Sequence, residues 1–348
     1  MKFYFISNID LGFGNMQYFY LLKNIKKIFP KVRFKFVAPY HKTNSGKFDK
    51  PDFINLMLWK NRLSLRLIYF LIIIKSYFSD LVIINTYPIG ILNFTSKRTF
   101  LINYYHEIWS DFNNNKEQNF KYFDRTKLVI VPQIDRVAKA KELFPNSKFF
   151  VVENCVELRS LSQTASNFSN KTILYQGQIS KLANADKLFA AIRLLKDIEV
   201  HLAGPVQECF KQELIDITRE HSNITYHGNL TSLELITLRR QSNIGLITWM
   251  NDTETTKFAA PTKLYEYISD GIYIICFPNY SLENLNKKYN FGAVLKDPLE
   301  LSDVIKKISQ EELIQRYKHN LNLYQSSLNY DAQIKHFLSS LQSCINYK

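Results

Sequence analysis

Short apolar runs of strand length recur along this chain, each followed by a loop or a segment of helical period. In the first half they fall at residues 2–7, 32–38, 81–84, 99–104, 128–131 and 149–152. In the second half they fall at 172–176, 199–203, 224–227, 244–247 and 272–277. Continuous apolar runs, rather than alternating ones, are what strands covered on both faces of a parallel sheet require. Between the two rounds, residues 158–170 (LRSLSQTASNFSN) are rich in Ser and Asn and show no period, which is a linker composition. Two rounds of alternation predict an α/β chain of two doubly wound, Rossmann-like domains facing a cleft. The expected boundaries are 1–158 and 171–330, with a terminal helix over 331–348 that packs back on the first domain. A chain of 348 residues has ample length for two such cores.

The most informative stretch is Ala260-Pro-Thr-Lys-Leu-Tyr-Glu-Tyr-Ile-Ser-Asp-Gly271 and the apolar run after it. Pro261 suits a helix start, where its missing N–H costs nothing. Leu264, Tyr265 and Ile268 lie at helical spacing, and Asp270-Gly271 reads as a helix stop. Lys263 and Glu266 then stand three apart in the opening turn. A cation and a carboxylate there can hold a phosphate and a sugar diol side by side. An ordinary surface ion pair has the same spacing, and spacing alone favours it.

Other candidate features are spread through the first half. Gly12 and Gly14 sit in a loop between the first strand and the helix over 16–29, an arrangement that can cradle a phosphate or serve only the turn. The strand over 99–104 delivers His106 and Glu107 at its C-terminal end, the edge at which open α/β sheets bind ligands. A histidine there can contact a substrate hydroxyl or merely bond locally. The helix over 63–77 is apolar, with Arg62 before it and Arg66 and Lys75 within it; it reads as a core helix or as one lying near a membrane surface.

Charge sharpens the partner question. Residues 1–170 hold 25 Lys and Arg against 12 Asp and Glu, an excess of +13, while residues 171–348 hold 20 against 19. A basic first half suits phospholipid head groups, a diphosphate-linked lipid or nucleic acid, or simply keeps the surface soluble. No helix-turn-helix, RNP-like or zinc-finger pattern is present, so a nucleic-acid partner is not expected. The four cysteines form no CxxC pair, and no HExxH or paired-aspartate motif appears, so neither metal nor cofactor is expected. Met1-Lys2 runs straight into Phe3-Tyr-Phe-Ile6 without a small-residue cleavage site. The expected location is therefore cytoplasmic, with peripheral contact at the inner membrane face.

Several segments, in order, resemble the retaining glycosyltransferases of the GT-B fold, in particular the family 4 group that builds bacterial surface glycans. Ile173-Leu-Tyr-Gln-Gly-Gln-Ile-Ser180 is similar to the strand and glycine loop that open that family's donor domain, and Val200-His-Leu-Ala-Gly204 to its next strand. Pro261–Gly271 is similar to its donor-nucleotide helix, Val152–Glu157 to the segment before its linker, and His106-Glu107 to its acceptor-side step. The resemblance implies that Glu266 accepts hydrogen bonds from a ribose and that Lys263 neutralises the diphosphate. Lys181, Thr262, Gly177 and Gly14 would complete the nucleotide site, and His106 with Glu107 would face the sugar and acceptor. It further implies a nucleotide-sugar donor, a lipid-linked or polysaccharide acceptor, and transfer with retention. Two positions depart from the family pattern: Phe258 stands where a second glutamate is common, and Gln178 where an arginine is. A GT-B epimerase or hydrolase is the alternative within the same fold, and a basic nucleic-acid-binding protein is the lesser one.

Overall fold

A computed structural model of the chain describes residues 1–7, 16–39, 52–86, 90–105, 125–159 and 168–346. Gly14, His106 and Glu107 lie outside the described residues. The elements run β1 (Lys2–Ile6), α1 (Met16–Ile28), β2 (Phe34–Pro39), β3 (Ile54–Trp59), α2 (Arg62–Phe78), β4 (Leu81–Asn85) and β5 (Phe100–Tyr104). β6 (Thr126–Val131), α3 (Val137–Leu143) and β7 (Lys148–Val151) follow. The second round comprises β8 (Thr172–Gln176), α4 (Ala185–Ile192), β9 (Glu199–Ala203), α5 (Lys211–Glu220), β10 (Ile224–Tyr226), α6 (Ser232–Gln241) and β11 (Ile244–Ile247). It continues with α7 (Glu254–Lys257), α8 (Thr262–Ser269), β12 (Tyr273–Cys276), α9 (Tyr280–Tyr289) and β13 (Gly292–Val294). The helices α10 (Leu301–Lys307), α11 (Gln310–Ser326), α12 (Tyr330–Gln333) and α13 (Lys335–Asn346) come last.

These elements form two units. The first joins Met1–Glu153 to Gln333–Lys348, and the second is Asn154–Ala332. The first unit's sheet has the order β3-β2-β1-β4-β5-β6-β7, and the second unit's has β10-β9-β8-β11-β12-β13. All the pairings within them are parallel. Both orders reverse direction beside the first strand of the round, as in doubly wound nucleotide-binding sheets.

The apolar strand runs are explained by their packing. Along β8 the side chains of Ile173 and Tyr175 enter one core and that of Leu174 the other, because successive residues point to opposite faces. Ile244 and Leu246 against Ile247, and Tyr273 and Ile275 against Ile274 and Cys276, alternate in the same way. The middle positions of these strands are therefore apolar on both faces. Gly245 is the exception with a reason: a Cβ there would stand 2.7 Å from the Tyr267 ring of α8.

Local contacts fix where the elements of the second round start. Helix α4 begins at Ala185, after a short 3-10 turn (Lys181–Ala183) and a left-handed Asn184 with φ 54° and ψ 47°. The segment between β11 and α8 contains α7, whose start is fixed by a capping box between Thr253 and Thr256. Unit two begins at Asn154, ahead of the Ser/Asn-rich stretch, because Asn154 Nδ2 donates to the buried Ala260 carbonyl at 2.7 Å. Cys155 enters the same core as Leu174 and Tyr265. In the first unit, α13 packs on α1, its Phe337 ring meets Phe150 edge-on at 5.5 Å, and Ser340 bonds Lys148 Nζ at 2.9 Å.

Candidate functional site

Helix α8 lies between β11 and β12 in sequence. In a parallel crossover its N-terminus therefore stands at the C-terminal edge of the second sheet, beside the break in strand order between β8 and β11. Pro261 occupies the cap position with extended backbone angles, and no side chain caps the helix. Thr262, Lys263 and Leu264 form its opening turn, with Thr262 and Lys263 half-buried.

The Lys263 side chain crosses the end of β8. Its ammonium lies 4.6 Å from the centre of the Tyr175 ring, and a Cβ on Gly177 would come within 2.8 Å of Nζ. Gly177 has a φ of 123°, a conformation open to glycine alone at little cost. Gly204, at the end of β9, is as tightly placed: a Cβ there would meet the Gly177 carbonyl oxygen at 2.1 Å. Glycine at both strand ends thus leaves room for the lysine and brings two backbones together. Burial pushes the Lys263 pKa down from 10.5 to about 8, against the attraction of the nearby Glu266. Tyr175, buried beneath it, is pushed up to about 12 for the same reason.

One turn further along α8, Glu266 is held by two groups. Gln176 Nε2 donates to its Oε2, and Arg239 Nη1 lies 3.7 Å from the same atom. Both contacts use Oε2, and Oε1 forms no hydrogen bond among the described residues. Arg239 is buried and is itself fixed twice, with Nε donating to Asp270 Oδ2 at 2.6 Å and Nη1 to Gln176 Oε1 at 3.2 Å. Asp270 also accepts from Arg159 Nη2 at 2.8 Å, and Arg240 Nε stands 3.9 Å away. Below this, Tyr267 donates its hydroxyl to the Leu174 carbonyl at 3.1 Å and receives the Gln176 N–H at 3.2 Å. The carboxylate is therefore backed by a buried polar network, every member of which has a partner.

Among the described residues Lys263 and Glu266 form no ion pair, although their spacing would allow one. Lys263 and Glu266 influence each other electrostatically, but Lys263 is turned onto Gly177 and Tyr175 while Glu266 turns to Gln176 and Arg239. Lys181 is exposed in the 3-10 turn after Gly177, its N–H on Gln207 Oε1 at 3.0 Å. Gln178 is exposed too, and its carbonyl accepts the Tyr175 hydroxyl at 2.7 Å. Phe258, in place of a glutamate, meets the Tyr280 ring edge-on at 5.9 Å, with Lys257 Nζ 5.4 Å and 5.7 Å from the two rings. Sequence reasoning missed Gln176, Arg239 and Asp270. The one local signal was an arginine at the end of α6, one residue from the buried Leu238.

Residues 187–341 match the family model of the glucosyltransferase 3-like C-terminal domain. No curated protein matches the sequence. Among solved structures, the fold is similar to sucrose-phosphate synthase from Thermosynechococcus elongatus, with a TM-score of 0.72, 11% identity and full coverage of both chains. HepE from Anabaena in complex with UDP gives a TM-score of 0.71 at 12% identity, over 99% of this chain and 100% of that one. WaaG, a glycosyltransferase involved in lipopolysaccharide biosynthesis, gives 0.66 at 10% identity, over 96% and 98% of the two chains. The fold is that of the GT-B glycosyltransferases, and the family match covers less than half of the chain.

Proposed function

We propose that this chain transfers a sugar from a nucleotide-sugar to a lipid-linked or polysaccharide acceptor, with retention at the anomeric carbon. The observation that carries the reading is the division of labour at α8, where a cation and a carboxylate face different ways at one helix N-terminus. Lys263, with the start of α8 and the glycine at 177, would take the diphosphate. Glu266 Oε1 would accept both ribose hydroxyls while Gln176 and Arg239 keep the carboxylate from rotating. Lys181 and Thr262 border the same loop and helix start. Gly14 on the diphosphate, and His106 with Glu107 on the sugar and acceptor, belong to this reading on their sequence positions alone.

In the reaction, an acceptor hydroxyl oxygen bonds to the anomeric carbon as the bond from that carbon to the diphosphate oxygen breaks. Both electrons of the broken bond leave with the nucleoside diphosphate, which also takes the hydroxyl proton. Charge builds on the departing oxygen, so a cation already fixed at the diphosphate lowers the barrier without reorganising. The basic first half supports an acceptor carried at an anionic inner membrane face, in the making of a surface glycan such as lipopolysaccharide or capsule.

A calorimetric panel of UDP, GDP, ADP and CMP tests the donor site. One diphosphate should bind, and Glu266→Ala should weaken it by roughly tenfold, the worth of a hydrogen-bonded charge. If no nucleotide binds, the proposal fails. If one binds equally well to Glu266→Ala, the ribose assignment fails.

A further inference from the structure

Helix α2 is apolar on two sides. Its inner side, with Tyr69 and Ile72 buried and Leu65 and Ile68 partly so, packs on the core around Tyr4, Ile6, Leu81 and Ile83. Its outer side carries Leu63, Leu67, Phe70, Leu71, Ile74, Tyr77 and Phe78, and all seven are exposed, Leu63 to 75% and Phe78 to 83%. The positions recur at steps of three and four, so they form a single stripe running the length of the helix. The stripe continues onto the neighbouring turn. Tyr77 donates its hydroxyl to the Phe94 carbonyl at 3.1 Å, and the Phe94 ring is 66% exposed. An exposed apolar stripe of this length marks a docking surface, since scattered surface leucines do not line up.

Charge identifies the occupant. Between Asp52 and Glu107 the sequence has six Lys or Arg (Lys60, Arg62, Arg66, Lys75, Lys97, Arg98) and one acid, Asp80. Arg66 is exposed within the stripe itself. Lys97 and Arg98 are exposed beside its C-terminal end, where the Ser96 N–H donates to Ser76 Oγ of the helix at 2.7 Å. Lys75 flanks the stripe, and burial together with Lys35 and Lys2 nearby holds its pKa below the ordinary value. A second copy of the same face would set like charges against each other. An anionic bilayer complements both features: head groups meet the cations and the acyl boundary takes the rings. No helix among the described residues is long and apolar enough to cross a membrane.

We propose that the outer face of α2, with Phe94, lies in the surface of an anionic phospholipid bilayer. The proposal deepens the membrane placement given above and rests on it, but not on the donor site. Vesicles of phosphatidylcholine, with or without phosphatidylglycerol, are floated with the full chain at low and high salt, and UDP binding is measured on the same samples. The chain should float with the anionic vesicles and lose roughly tenfold in partitioning with Leu67→Ser/Phe70→Ser/Leu71→Ser. Arg66→Glu/Lys97→Glu should float less at low salt and match the parent at high salt. All five positions are exposed and lie outside the donor site, so UDP binding and the melting temperature should hold, which separates this proposal from the donor reading. Floating by the serine variant equal to the parent's, or equal floating with neutral and anionic vesicles, overturns the proposal. So does a dimer in light scattering that the serine variant abolishes, since a second copy would then be the occupant.

Discussion

Lys263 offers the sharpest test, because its proposed service to the ligand is costly to the unliganded fold. A lysine pKa brought from 10.5 to about 8 means that the charged form is disfavoured in the folded state by about 3 kcal/mol at pH 7. Lys263→Met keeps the length of the side chain and removes the charge. It also forfeits the contact with the Tyr175 ring, worth about 1–2 kcal/mol. The net expectation at pH 7 is a gain of about 1–2 kcal/mol, or roughly 2–6 °C in the melting temperature of the second unit. The sign with pH follows from linkage. Between about pH 8 and 10.5 the unfolded chain keeps the lysine proton and the folded one has lost it, so the parent gains stability as pH rises through that window. The advantage of Lys263→Met should therefore shrink from pH 7 to pH 10. Affinity for UDP should behave in the opposite way. It should fall roughly tenfold in the variant at pH 7, and in the parent it should decline above pH 8 as the cation is lost, levelling off at about the same tenfold loss. Melting curves and calorimetry at four pH values decide it. A variant that melts lower than the parent at pH 7, with unchanged UDP affinity, would refute the assignment of this lysine to a diphosphate.

Gln176→Met should weaken UDP binding roughly fivefold while Glu266 itself stays in place, because one hydrogen bond that fixes the carboxylate is gone; titration calorimetry reads the change. Asp270→Asn should destabilise the second unit by about 3–5 kcal/mol, since it strips the counter-charge from the buried Arg239, and urea unfolding measures that loss. Gly245→Ala should cost about 1–3 kcal/mol by pressing a methyl group into the Tyr267 ring, with nucleotide binding per folded molecule preserved.

Legibility in the sequence tracked locality. The α8 stretch could be read because its start, stripe and stop lie within twelve residues and a buried strand follows directly. β8, β9 and β11 were bounded to the residue, since each is short and mostly buried and is followed directly by a loop or turn. β3 went unread because, as an edge strand, it mixes buried Ile54 with exposed Asn55 and Leu56. β13 spans only Gly292–Val294, and its glycine is required because a Cβ there would stand 1.9 Å from the Ile274 carbonyl oxygen. The network behind Glu266 was invisible for another reason. Its members come from β8, α6 and α8, and nothing local to Arg239 announces a partner 31 residues further on at Asp270. Likewise, the exposure of the outer side of α2 could not be told from burial, since leucine and phenylalanine suit both.

The path of the chain has a consequence for how the protein is made. The first unit is covalently discontinuous: α13 belongs to it, yet emerges from the ribosome only after all of residues 154–332. Until then the first sheet lacks the ring of Phe337 over Phe150 and the helix beside α1. The second unit is contiguous, and the Tyr330 N–H on the Val156 carbonyl at 2.9 Å ties its entry and exit segments together. Folding should thus finish in the reverse of the order of synthesis, with the nascent first unit waiting on its last helix and dependent on chaperones meanwhile.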